Sequence, residues 1–137
     1  MGDRCSMTIS VREADSVRFI QAVKDAIYEP DNVTEGDAVM PWADLNWDDV
    51  NYAAGIAPGD LGRLKGAESI PFYGSHDAGG CYQSGVFAND GEGRFALCYE
   101  IGGSPAARLS ESGDIDPDDA QAAKEYFSIV RKITNQS

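Results

Sequence analysis

Residues 7–11, Met-Thr-Ile-Ser-Val, alternate apolar and polar side chains, which is the period of a strand with one buried face. From Asp15 the spacing changes. Phe19, Ile20, Val23, Ala26 and Ile27 recur three and four apart and stop before Pro30, predicting a helix over residues 14–28. Ser10 and Glu13 also match a capping box that would start this helix earlier, but the alternation favours the strand. Residues 29–41 hold two prolines, a glycine and four acids, and read as a loop. Trp42, Leu45, Val50, Ala53 and Ala54 are loosely helical in spacing and precede Gly55, so a second, shorter helix is expected over 42–54.

Beyond Ser69 the pattern turns to strands. Ile70-Pro-Phe-Tyr73 reads as a strand start, and residues 81–88 and 94–101 flank Asn89-Asp90-Gly91-Glu92, where Asp-Gly between alternating segments signals a hairpin. With Asn89 opposite Glu92, Tyr82, Ser84 and Val86 would face Tyr99, Leu97 and Phe95. Residues 106–110 suggest one more strand. Asp116-Pro117-Asp118-Asp119 supplies an N-cap, a first-turn proline and two acids for the positive end of a helix dipole. Ala123, Tyr126, Phe127, Val130 and Ile133 then form its apolar stripe, with Arg131 and Lys132 in the last turn. The order β-α-α-β-β-β-α predicts an α+β fold: an antiparallel meander of about three to five strands, packed on one face by an N-terminal and a C-terminal helix.

Length and charge narrow the functional classes. The 137 residues suit one domain, read as residues 7–137, with 1–6 as an appended or disordered start. Acids outnumber bases 23 to 11, giving a net charge of −12 that would repel nucleic acid phosphates and anionic lipid. No stretch approaches the roughly 20 apolar residues of a membrane span. Three cysteines form an odd, sparse set, and the N-terminus carries no apolar leader, so a cytoplasmic protein with reduced thiols is expected.

Several local patterns invite a chemical reading. Val50, Gly55, Ile56, Leu61 and Leu64 resemble the two-helix core of Cro-type repressors over about 20 residues. That resemblance implies DNA binding, but Asn51 stands where the family has a small residue, and residues 41–66 carry four acids against two bases. Asp114, Asp116, Asp118 and Glu125 copy part of an EF-hand loop, with Asp119 at the position of its turn glycine and Pro117 inside it; helix capping explains these acids more simply. His76, the sole histidine, lies in a glycine-rich loop running to Cys81, and Cys98 would share a sheet face with Cys81. A thiolate beside imidazole would be a nucleophile, though small sheet-filling thiols are the simpler account. Zinc-ligand spacing and phosphate-loop motifs are absent, and no cofactor is implied.

Charge segregation is the most unusual feature. Between Lys24 and Arg63 there are nine acids and no base. A second run, Glu111, Asp114, Asp116, Asp118 and Asp119, adjoins the last helix. The first run contains Trp42, Trp47 and Tyr52, and carboxylates with aromatic anchors are what an interface for a basic protein surface requires. The expected function is therefore a non-enzymatic protein-binding module of inhibitor, immunity-like or accessory type, acting through Glu35, Asp37, Trp42, Asp44, Trp47, Asp48 and Asp49. No direct contact with nucleic acid or membrane is expected, and unpaired sheet edges leave room for a homodimer. The alternative is a small-molecule-binding protein or enzyme with a pocket at the Tyr73 to Cys81 loop, and less favoured is the helix-turn-helix DNA binder.

Overall fold

A computed structural model describes residues 4–24, 29–37, 39, 41–51, 67–77 and 84–135. The architecture is α+β. Strands β1 (Arg4–Arg12), β2 (Asn32–Thr34), β3 (Trp42–Asn51), β4 (Phe72–His76), β5 (Gly85–Asn89), β6 (Phe95–Ile101) and β7 (Ser104–Ala106) form one antiparallel sheet in the order β2-β3-β1-β4-β5-β6-β7. A single 3-10 turn, Glu13–Asp15, leads into helix α1 (Ser16–Val23), and helix α2 (Pro117–Thr134) closes the described chain.

The alternation seen at residues 7–11 makes β1 an interior strand, paired with β3 and β4, and extends back to Cys5. Met7, Ile9 and Val11 point to one face, pairing with Trp47, Leu45 and Ala43 of β3 and with His76, Gly74 and Phe72 of β4. These residues meet Phe19 and Val23 of α1, together with Ile70, Phe72 and Phe87, in the larger apolar cluster. Gly74 is required here for space: a Cβ would collide with the Thr8 carbonyl oxygen and come within 3.0 Å of Phe87 Cζ.

The segment expected as a second helix is strand β3. Its buried positions over residues 42–48 are Ala43, Leu45 and Trp47, a period of two in place of the helical spacing of Trp42, Leu45 and Val50, and pairing with β1 on one side and β2 on the other selects it. Arg4–Arg12 likewise absorbs Ser10 of the alternative capping box into strand. Residues 25–28 of the expected first helix and 52–66, which hold most of the repressor-like segment, lie outside the described residues. Trp47 to Asn51 of that segment is strand, not helix.

The β5–β6 hairpin forms in a different register. Asn89 faces Phe95 rather than Glu92, and Val86 faces Cys98 rather than Phe95, a slip of three residues. The cause is Asp90. Its buried carboxylate accepts N–H bonds from Glu92 at 2.7 Å and Arg94 at 3.0 Å, while its own N–H donates to the Arg94 carbonyl at 3.0 Å. Gly91 and Gly93, at φ 79° and 104°, let the backbone close this five-residue loop. An odd slip exchanges faces, so Ala88 and Ala96 turn toward α2 while Phe87 joins the α1 side. Gly102 and Gly103 then turn β6 into β7 at Ser104, earlier than the strand expected at 106–110.

Helix α2 opens as its sequence indicates, with Asp116 accepting from the N–H groups of Asp118 at 2.9 Å and Asp119 at 3.1 Å. Ile129 and Ile133 pack on Ala88 and Ala96, on the face opposite α1. The two helices therefore sandwich the sheet instead of sharing one face. Each apolar face of the sheet needs its own cover, and α1, eight residues long, is too short to cover more than the first. No helix among the described residues is long and apolar enough to cross a membrane.

This packing yields a stability test. Ile129 is 0% exposed and Val17 70% exposed. Ile129→Ala is expected to cost about 2–5 kcal/mol in urea unfolding, through lost burial and the cavity left behind, while Val17→Ala stays within about 0.5 kcal/mol.

Candidate functional site, a pocket at the sheet edge

Short β2 covers only part of β3: Asn32, Val33 and Thr34 pair with Asn46, Leu45 and Asp44. After Thr34 the chain leaves the ladder, and Glu35, Gly36 and Asp37 pass beside the uncovered start of β3. Register supplies the rest of the wall. Arg12 pairs with Trp42, and Ser10 lies between Asp44 and Tyr73, which places Trp42, Asp44 and Tyr73 on the face that carries α2 farther along the sheet. A pocket of about 240 Å³ results, lined by Thr34, Glu35, Asp37, Trp42, Asp44 and Tyr73.

Its aromatic wall is held in place. The Trp42 and Tyr73 rings are 5.3 Å apart between centroids and tilted by 56°. The Arg12 guanidinium lies over the Trp42 ring, 5.6 Å from its centroid, while Nη2 donates to the Ile133 carbonyl at 3.0 Å. That arginine thus connects the C-terminal end of α2 to the pocket. The acids are ordered as well: Ser10 Oγ donates to Asp44 Oδ1 at 2.6 Å, and Asp37 Oδ1 accepts the Val39 N–H at 2.8 Å. Val39, whose N–H makes that bond, is itself 85% exposed.

A polar ladder continues across this face. Thr8 Oγ1 donates to Asn46 Oδ1 at 2.8 Å, and Asn46 Nδ2 to Asn32 Oδ1 at 2.9 Å. Asp31 closes the edge by accepting the Asp48 N–H at 2.6 Å. Among the described residues no three of His, Cys, Asp and Glu converge as a metal site, so the acids surround a space instead of a point.

Of the residues singled out by the sequence, Glu35, Asp37, Trp42 and Asp44 come together here. Asp48 is exposed farther along β3, and the Asp49 side chain and Tyr52 lie outside the described residues. Trp47 does not join them. At 1% exposure it fills the core on the opposite face, because the odd positions of β3 point toward α1. Arg12 carries no sequence signal, and Tyr73 carries one only for a pocket at the loop running to Cys81; the register of β1 against β3 and β4 brings both to Trp42.

The histidine and cysteines do not form a dyad among the described residues. His76 belongs to β4 and is buried, its ring stacked on Phe87 at 6.4 Å and its Nδ1 2.9 Å from the Asp77 carbonyl oxygen. Gly85 makes room for it, since a Cβ there would sit 2.7 Å from Nε2. Cys98 pairs with Val86 on the other face, and burial pushes its thiol up to about 11, which keeps it protonated. Cys81 lies outside the described residues. The acids near α2 have structural partners: Asp119 binds the Arg108 N–H at 2.9 Å and Nε at 2.8 Å, and Arg108 lies over Tyr99 at 4.5 Å.

Burial lowers the His76 pKa from its ordinary value, against the opposing effects of the Asp77 carbonyl and the Asp77 and Glu100 charges. The unfolded chain therefore takes up this proton first, so stability is complete above about pH 6.5 and falls as pH drops below it. Asp119, held low by Arg108, and Asp90, held low by the Arg94 and Glu92 N–H groups and Lys132 against its burial, lose their contribution only in the more acidic range near and below about pH 4. The urea midpoint of the native chain is expected to fall between about pH 7.5 and 5.5, and His76→Gln to flatten that dependence; an equal slope in both would contradict this assignment. The chain matches no protein-family model, no curated protein and no solved structure.

Proposed function

We propose that the chain is a non-enzymatic protein-binding module, of inhibitor, immunity-like or accessory type, that engages a basic protein surface through the β2–β3 edge. The observation that supports this most is the gathering of Glu35, Asp37 and Asp44 around the Trp42–Tyr73 wall. Aromatic anchors inside a charged rim are the composition of binding surfaces, and complementary charge speeds encounter with a basic partner. The net charge of −12 argues in the same direction against nucleic acid and anionic membranes. A cytoplasmic setting with reduced thiols agrees with the sparse, odd set of three cysteines, of which Cys98 is buried and held protonated. A small-molecule site at Tyr73 to Cys81 draws less support, because His76 packs on Phe87 within the core.

A comparison at constant net charge tests the reading. The probe is a short peptide carrying several lysines and arginines, titrated at low salt. The triple variant Glu35→Lys, Asp37→Lys, Asp44→Lys is expected to lose at least about tenfold in affinity, about 1.4 kcal/mol, relative to Glu111→Lys, Asp114→Lys, Asp118→Lys. Equal weakening by the two triples would reduce the effect to overall charge and remove the site.

A further inference from the structure

We infer that the pocket between Trp42 and Tyr73 receives one arginine side chain of the partner, with its guanidinium plane against the aromatic wall and its N–H groups directed to Asp44 and the rim acids. This rests on the reading that the β2–β3 edge binds a basic protein. Four observations support the guanidinium in particular.

Size comes first. At about 240 Å³ the pocket falls below the roughly 300–1,000 Å³ of sites built for drug-sized ligands and cofactors, and suits a group the size of one side chain. The second is the platform: Trp42 already carries one guanidinium, that of Arg12, so its indole is used as a cation surface within the chain itself. Because Arg12 is tied to Ile133, the ring is set in position before a partner arrives, which lowers the ordering cost of binding.

The third observation is the state of Asp44. It is half-buried, Ser10 occupies Oδ1, and among the described residues Oδ2 accepts from no side chain and no cation pairs with it. A half-buried carboxylate of this kind gains most from a charge-assisted donor. The fourth is charge: the segment that builds the rim has no lysine or arginine between Lys24 and Arg63, so its net charge is complementary to a cationic side chain.

The shape of the cation then decides among basic groups. Arginine can stack its plane on a ring while its edge donates to a carboxylate, whereas the compact, strongly hydrated lysine ammonium cannot do both well. A quaternary ammonium has no N–H for Asp44 and would meet only the two tilted rings.

The experiment compares two short peptides of equal length and charge, one with arginines separated by glycine and the other with lysines at the same positions. Binding to the intact chain is followed by calorimetry and by tryptophan fluorescence. The arginine peptide is expected to bind about tenfold more tightly, with a change in Trp42 emission. Asp44→Asn, which is isosteric, and Trp42→Leu should each bring the two affinities together. Trp42→Phe, which keeps a ring, should preserve part of the preference. Equal affinities for both peptides, with the Glu35, Asp37 and Asp44 reversals still weakening each, would overturn the arginine pocket and leave the basic-partner reading standing. Failure of both peptides to bind would overturn both.

Discussion

The structure depends on the facing of β1. This strand is paired on both sides, and its odd positions, from Cys5 to Val11, are all buried. A shift of one residue would turn Met7, Ile9 and Val11 toward water and bring Ser6, Thr8 and Ser10 into the core, so the hydrophobic effect admits one register. Everything that follows takes its orientation from that choice. Leu45 and Trp47 of β3 must face α1, and Trp42, Asp44 and Tyr73 must therefore lie on the other side.

The second face is organised by polar contacts to α2. Lys132 reaches Asp90 at 3.1 Å, Arg94 reaches Glu125 at 2.5 Å, and Arg12 reaches the Ile133 carbonyl at 3.0 Å. Asp90 is the buried member of this set and serves two purposes, shaping the hairpin loop through its backbone bonds and anchoring the helix through Lys132. The exposed Arg94–Glu125 pair contributes little by itself, as surface pairs do. Helix position matters beyond stability, because Arg12 joins the end of α2 to Trp42. The pocket is thus formed by the sheet edge and steadied by the distant C-terminal helix.

The uneven charge separates into two classes once the partners are seen. Asp116 caps α2, and Asp119 holds Arg108. Glu35, Asp37 and Asp44 line a space with an aromatic wall, where Asp44 also accepts from Ser10 and Asp37 from the Val39 N–H. Concentrating like charges at one edge costs self-repulsion, which folding alone does not require. That distinction is why the edge, and not the acidic turn before α2, is the candidate site.

What the sequence by itself determined is what local chemistry encodes. The alternation around Ile9 defined β1 and Asp116-Pro117 defined the start of α2, while the base-free acidic run with its aromatic residues offered Glu35, Asp37, Trp42, Asp44, Trp47, Asp48 and Asp49 as candidates only. Tertiary structure decided the rest. Trp42, Leu45 and Val50 fit a helix as readily as Ala43, Leu45 and Trp47 fit a strand, and only pairing with β1 resolved the ambiguity. The hairpin slipped by three residues because the Asp90 side chain, not the Asp-Gly pair, built its loop. Tyr73 and Arg12 reached Trp42 across strands far apart in the chain, and Trp47 went to the core, because facing in a sheet is set by neighbours that no local pattern names.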